Sequence, residues 1–417
     1  ARRSLRTIAG LAGSIGCQIA VELLPRSCLG NSTQELLALL DDVDPQIAGV
    51  CLDTNHMMAN FVALPDAVRT LGSRHQLVVV AVGHDVTAGE WELFGTPVIN
   101  VPVGRHSRLD VARVLAAVPR AVGRFGRPDV VHALWANLPG LAAVAAARRW
   151  RVPSVVSVCG GEFAAHADID YGGGLTNGSR RLALAATRGA SAVTVATEWM
   201  RTHVLAAGAP VHDIVPLGAD LLEFSPAPAD EAPRRLVHVG SLNRVKDQDL
   251  LLHAFALLAA TEPGLRLVIA GGDTLAGHHA ALAEQLGIVD RVEFLGHVPH
   301  HLLPAVVRGA TLHVLTSRHD AGPVAVLEAA ACGVPTVGTR VGHVHDLATM
   351  PAPAAVVASQ RTPAAVAAAV TQVLHDPVRH AQLAAAGLAW ARSHDAVHTA
   401  ASFEMLYRRL LASSASS

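Results

Sequence analysis

Two stretches of this 417-residue chain carry residue types spaced for phosphate and sugar chemistry. The first is Val239-Gly240-Ser241-Leu242-Asn243-Arg244-Val245-Lys246-Asp247-Gln248. A strand runs out at Gly240, and a loop with two cations leads into a helix. Gly240 lets a phosphate approach the backbone, and Arg244 or Lys246 can neutralise it. Alone, the same pattern also describes an ordinary strand-to-helix loop with solvated cations. The second stretch runs from Thr316 through Asp320, Gly322, Pro323, Val324 and Glu328 to Pro335. Here a strand enters a turn holding an acid and Gly-Pro, then a helix with a second acid. Main-chain amides at Gly322, Val324 and Ala325 would form an anion pocket at the helix start. Glu328 sits one turn inside an otherwise apolar helix, where an unpartnered carboxylate would be costly. It therefore calls for a hydroxyl or a cation. A structural partner would serve, but a ribose diol, with two donors for one carboxylate, fits better.

Both stretches need strands and helices to position them, and the chain supplies an alternation of the two. Strand patterns at 77–82, 98–101, 130–133, 154–158 and 192–196 are interleaved with helices at 141–149 and 199–207. Around Ser225-Pro226-Ala227-Pro228-Ala229-Asp230-Glu231-Ala232-Pro233 the composition turns to Pro, Ala and acids, a linker signature. The alternation then restarts, with strands at 236–239, 267–270, 292–295, 312–315 and 336–338. Such patterns predict parallel sheets covered by helices on both faces, with a ligand cleft between the two units. Residues 1–75 read instead as a separate run of βα units.

Composition narrows the function. Hydrophobic residues make up 51% of the chain and aromatics only 4%, so the cores must be built from Ala, Val and Leu. A formal charge of −1 with no long basic run argues against nucleic acid as a partner. The cysteines, Cys17, Cys28, Cys51, Cys159 and Cys332, show no C-x-x-C spacing, which points to a reducing, cytoplasmic setting. No uncharged apolar run reaches the ~18 residues of a membrane span.

In their order and spacing, several segments resemble the family-four retaining glycosyltransferases. They are Pro128-Asp129-Val130-Val131-His132, Val215-Pro216-Leu217-Gly218-Ala219-Asp220 with Phe224, Gly240 to Lys246, Ile269-Ala270-Gly271-Gly272, Arg291-Val292-Glu293-Phe294-Leu295-Gly296, and Asp320 to Pro335. The resemblance implies an α/β fold of two Rossmann-like domains (GT-B) and a nucleotide-diphosphate sugar as donor. It also implies an acceptor of unspecified kind (glycan, lipid or small molecule), with peripheral membrane contact open and no cofactor. By the same resemblance Glu328 grips the ribose, Asp320 touches the transferred sugar and Lys246 clamps the diphosphate. Backbone at Val292 and Glu293 holds the base, and Gly240, Ser241, Gly272, Gly322, Pro323 and Val324 complete the donor site. Two departures stand out. Asp320 occupies a position where the family carries Glu, and Ser241 stands where it carries Arg, leaving Arg244 to supply that charge. On the acceptor side the family's histidine position reads Cys159-Gly160-Gly161-Glu162, so His132, His166 and Glu162 are the candidates there, His132 as a catalytic one.

Residues 5–74 resemble a slice of a xylose-isomerase-like sugar-phosphate isomerase or epimerase barrel, through Ile19-Ala20-Val21-Glu22 and Val50-Cys51-Leu52-Asp53-Thr54-Asn55-His56. The resemblance makes Glu22, Asp53 and His56 metal ligands. A closed barrel needs ~200 residues, and two βα units fall far short, so these three are expected to hold no metal. The expected organisation is a partial barrel-like segment at 1–75, an acceptor-side domain at 76–228 lacking its first strand, a donor domain at 229–398, and a returning helix at 399–417. Three functions stay open: an active retaining transferase, an inert fusion with residual nucleotide-sugar binding and, more remotely, a metal-dependent isomerase.

Overall fold

The computed structural model describes residues 50–51, 78–82, 88–93, 96–103, 108–226 and 234–415. Glu22, Asp53 and His56 lie outside the described residues. Spatial clustering divides the chain into two compact units, Ala1–Leu217 with Ala396–Ser417, and Gly218–Asp395.

The first unit is built on short Val-rich strands. These are β1 (Val50–Cys51), β2 (Val78–Val82), β3 (Gly89–Leu93), β4 (Thr96–Val101), β5 (Val131–Leu134), β6 (Ser154–Val158), β7 (Ala192–Val195) and β8 (Asp213–Ile214). They pair as β1-β2-β4-β3 and β5-β6-β7-β8, all parallel except β3 against β4. β5, β6 and β7 are buried along their whole length, and their polar members His132, Ser157 and Thr194 hydrogen-bond to one another across the strands. Helices α1 (Arg108–Gly123), α2 (Leu138–Trp150), α3 (Asn177–Gly189) and α4 (Glu198–Ala206) connect them. Thr176 and Thr197 start α3 and α4 by accepting from Ser179 N and Met200 N. β1 comes from the barrel-like segment, yet it pairs in parallel with β2, Val50 opposite Val78, and lies beside β5. It is the edge strand of that four-stranded sheet, on the side next to β5. The carboxyl-terminal helix Ala396–Ala415 belongs to this unit. Thr399 Oγ1 donates to Pro216 O at 2.7 Å, and Arg409 pairs with Asp213 at 2.5 Å.

The second unit holds β9 (Arg235–Val239), β10 (Arg266–Ala270), β11 (Val292–Gly296), β12 (Leu312–Leu315), β13 (Thr336–Gly338) and β14 (Ala355–Val357). Its helices are α5 (Gln248–Thr261), α6 (His278–Gln285), α7 (Leu303–Arg308), α8 (Val324–Ala331), α9 (Gly342–Ala348), α10 (Pro363–Leu374) and α11 (Pro377–Ser393). The sheet is wholly parallel in the order β11-β10-β9-β12-β13-β14. Counted within the unit this is 3-2-1-4-5-6, the doubly wound Rossmann order. Leu236, Leu251, Phe255, Leu267, Ile269, Leu312 and Val337 form its core with α10 residues Val366, Val370 and Val373. Each large side chain buried there contributes about 1.5–3 kcal/mol. Strand order reverses between β9 and β12, and the crevice beyond their carboxyl ends is where such sheets take ligands. Among the described residues, no helix is long and apolar enough to cross a membrane.

Candidate active site

The loop leaving β9 is held from several sides before any ligand is considered. Gly240 N donates to Ala270 O and Leu242 N to Gly272 O, both at 2.9 Å, so it runs against the loop leaving β10. The approach is close enough that a Cβ on Gly271 would stand 2.0 Å from Gly240 O. Only glycine fits at 271. Beneath the loop, Gln248 Nε2 donates to Ser241 O at 3.0 Å and meets His238 Nε2 at 3.1 Å, while His238 Nδ1 reaches Val314 O at 2.9 Å. Burial drives the His238 imidazole down to about 4, so the ring is neutral and serves as scaffold. Asn243 Oδ1 accepts from Lys246 N at 2.9 Å. Asp247, in the left-handed region at φ 53°, caps α5 and pairs with Arg361.

Lys246 emerges from this frame toward the loop after β12. Its Nζ lies 2.5 Å from Asp320 Oδ2, across 74 residues of sequence. The side chains are 15% and 12% exposed, so water screens the pair only weakly. Ser317 Oγ donates to the same oxygen at 3.3 Å. Arg318 N donates to Val245 O at 2.7 Å and Thr339 Oγ1 to Ser317 O at 2.6 Å, tying the two loops together. Gly342 packs so tightly under the turn that a Cβ would meet Asp320 O and Pro323 Cδ at 2.6 Å. The turn delivers Gly322, Pro323 and Val324, all buried, to the start of α8, whose first turn no side chain caps.

Glu328, 4% exposed, faces a cation that sequence reasoning did not identify. His300 Nε2 lies 2.9 Å from Glu328 Oε1, and His300 Nδ1 lies 3.3 Å from Glu223 Oε2. Burial alone would lower the His300 imidazole. Hydrogen bonds to Glu223 and Glu328 outweigh burial and raise it to about 9. His300 in turn holds the Glu223 carboxyl well below its ordinary range. A charged imidazolium is thus clamped between two carboxylates, and Glu328 Oε2 has no partner among the described residues. The sequence signal for this was indirect: an acid inside an apolar helix calls for a hydroxyl or a cation, and His300 follows Pro299 in a 3₁₀ turn.

The remaining expected residues fall less close together. Arg244 is exposed, and Ser241 gives its carbonyl to Gln248. Gly272 lies in the loop after β10, and Val292 and Glu293 lie on edge strand β11, buried and exposed respectively. In the first unit His132 is buried within β5, where His132 Nδ1 meets Tyr407 Oη at 2.6 Å and Nε2 meets Ser157 Oγ at 2.7 Å. Burial lowers this imidazole to about 3. With both nitrogens engaged, the ring fastens the carboxyl-terminal helix to the sheet and leaves no nitrogen for a substrate. Glu162 accepts from Ala136 N (3.1 Å), Cys159 N (3.2 Å) and Gly160 N (2.8 Å). His166 is half-buried and bridges to Tyr171.

Three family models match the chain: glycosyl transferases group 1 over residues 222–390, the glycosyl transferase 4-like domain over 62–219, and the xylose isomerase-like TIM barrel over 1–108. A D-inositol 3-phosphate glycosyltransferase of Frankia alni is 30% identical over 296 residues, 63% of this chain and 71% of the relative. One of the same description from Acidothermus cellulolyticus is 29% identical over 367 residues, 82% and 80% of the two chains. Among solved structures, a sucrose-phosphate synthase of Thermosynechococcus elongatus superposes with a TM-score of 0.73 at 17% identity, covering 88% of this chain and 99% of that one. Anabaena Alr3699/HepE, in complex with UDP and glucose, gives 0.67 at 19% identity, covering 86% and 98%. These structural likenesses concern the GT-B fold. With two transferase matches that nearly abut and a relative covered over more than two thirds of its length, the chain belongs to the group 1, GT4-like glycosyltransferases.

Proposed function

We propose that this chain is a retaining glycosyltransferase that takes its sugar from a uridine-diphosphate sugar and places it on a small phosphorylated polyol or sugar. The observation that carries the reading is the Lys246–Asp320 ion pair at the switch point of the second unit, beside the uncapped start of α8. The Anabaena structures with UDP and UDP-glucose support the donor class, and the relatives named for D-inositol 3-phosphate support the acceptor class. On this reading an arriving diphosphate draws Lys246 away from Asp320 and takes the α8 amides as further donors. Asp320, released, accepts from hydroxyls of the donor sugar. Glu328 keeps Oε1 on His300 and offers Oε2 to the ribose diol. The bond from the anomeric carbon to the diphosphate breaks, the acceptor oxygen bonds to that carbon on the same face, and its proton passes to the departing phosphate. Lys246 and the helix amides stabilise the charge that grows on the leaving group.

A second reading, binding without turnover, is favoured by one observation: Ser241 brings no charge to the loop and Arg244 is exposed. The test is incubation with a panel of UDP-sugars and D-inositol 3-phosphate, with the product's anomeric configuration read by proton NMR. The proposal expects acceptor-dependent UDP release and a glycoside with the donor's configuration. An inverted product contradicts retention, and UDP binding without transfer selects the second reading.

A further inference from the structure

We propose that Asp249, His278 and His279 form a binding site for a divalent transition metal of the zinc type, on the flank of the β9 loop. One ligand atom from each residue falls within a sphere of contact in which all lie within 4.8 Å of one another. His278 Nε2 lies 2.9 and 3.1 Å from the two oxygens of Asp249, and His279 Nε2 lies 3.2 Å from Oδ1. Zinc–nitrogen and zinc–oxygen bonds of about 2.0–2.2 Å set tetrahedral ligand–ligand edges of roughly 3.3–3.5 Å. The two Asp249–histidine separations therefore need to widen by only a few tenths of an ångström to admit an ion, and the two imidazole nitrogens lie within 4.8 Å of one another.

The surroundings resemble a built site more than a chance ion pair. The histidines open α6 and the aspartate lies in the first turn of α5, so both sides rest on helices. The rings stand edge-to-face at 5.1 Å and flank the carboxylate. His279 is 2% exposed, and its Nδ1 has no hydrogen-bond partner, so Nε2 is the atom through which this ring interacts. The turn before α6 is fixed as well: Asp273 accepts from Leu275 N at 2.8 Å and Gly277 N at 2.5 Å, and Thr274 Oγ1 donates to Leu242 O at 2.7 Å. His278 and Asp249 are about half exposed, which leaves a path for the ion and a coordination position for water. Two imidazoles with one carboxylate suit zinc over magnesium or calcium, which prefer all-oxygen shells. Because Thr274 hooks the same turn to Leu242, a bound ion would brace the loop that carries Lys246. This site is independent of the transferase reading.

The chain has 23 histidines, so stoichiometry and variants must separate this site from scattered binding. The experiment titrates the full chain with Co²⁺, follows visible tetrahedral absorption and competes the ion with Zn²⁺, for wild type, His278→Ala and Asp249→Asn. Both variants replace half-exposed side chains, and circular dichroism verifies that they fold. The expected result is one equivalent bound by wild type and at least about tenfold weaker affinity in each variant, the smallest loss typical even of a supporting partner. No tetrahedral absorption, or equal affinity and stoichiometry in all three proteins, overturns the site.

Discussion

Glu162 in the first unit and Glu328 in the second are both buried, at 5% and 4% exposure, and both follow a strand of a parallel sheet. They are neutralised in opposite ways. Glu162 spends its oxygens on two amides of its own loop and on Ala136 N after β5, and burial pushes its carboxyl upward. Glu328 is met by one imidazolium on one oxygen. A carboxylate consumed by the backbone staples a loop, whereas one anchored on a single side keeps capacity for a ligand. On the proposed reading, ligand chemistry falls to Glu328 and structure to Glu162.

The largest expected effect comes from removing the cation that makes Glu328 tolerable. His300→Ala leaves two carboxylates facing each other in the interior, and loss of one partner of a buried pair costs about 3–5 kcal/mol. Urea unfolding should show it, and a loss below about 1 kcal/mol would break the comparison. Next, Lys246→Ala should lower the transfer rate by about 10²–10³, and it should also lower the unfolding midpoint, because Asp320 loses its weakly screened partner. An unaffected rate would remove Lys246 from the reaction. Glu162→Gln places an amide against backbone donors and should cost about 1–3 kcal/mol of stability without changing UDP affinity. A rate defect in a fully stable Glu162→Gln protein would instead give this residue a part in the acceptor half.

A pH slope follows from the same His300 clamp. The His300 imidazole is raised from 6.5 to about 9 in the folded chain. Its contribution is therefore complete below about 6.5, the unfolded value, and is lost as the pH rises through about 9. Stability of wild type should fall over that window, and the corresponding component should vanish in His300→Gln. Identical slopes in both proteins would place the proton elsewhere.

Much of the second unit was legible in the sequence because each half of the site is a local motif. Glycine, cations and a helix start at 240–248, and an acid, Gly-Pro and a second acid at 320–328, are recognisable in a βα frame. Their meeting was not legible, since Lys246 reaches Asp320 only because β9 and β12 are neighbours. The buried Glu328 announced a need for a partner but not its identity, because His300 reaches it from a turn 28 residues earlier. His132 was a candidate on the acceptor side, but it lies inside β5 and its ring turns inward to Tyr407, 275 residues away. The two residues Val50–Cys51 read as part of a foreign barrel, yet they pair in parallel with β2, because which partner a short strand finds is set by tertiary context that the sequence does not display.

The most direct test of the central claim, that Lys246 holds the diphosphate and Glu328 the ribose, is calorimetric titration of UDP and of uridine into wild type, Lys246→Ala and Glu328→Ala. Lys246→Ala should weaken UDP by about ten- to a hundredfold, the equivalent of roughly 1.5–3 kcal/mol, and leave uridine nearly unchanged. Glu328→Ala should weaken both ligands. Equal loss of the two ligands in Lys246→Ala, or unchanged affinity for both in Glu328→Ala, would contradict the account.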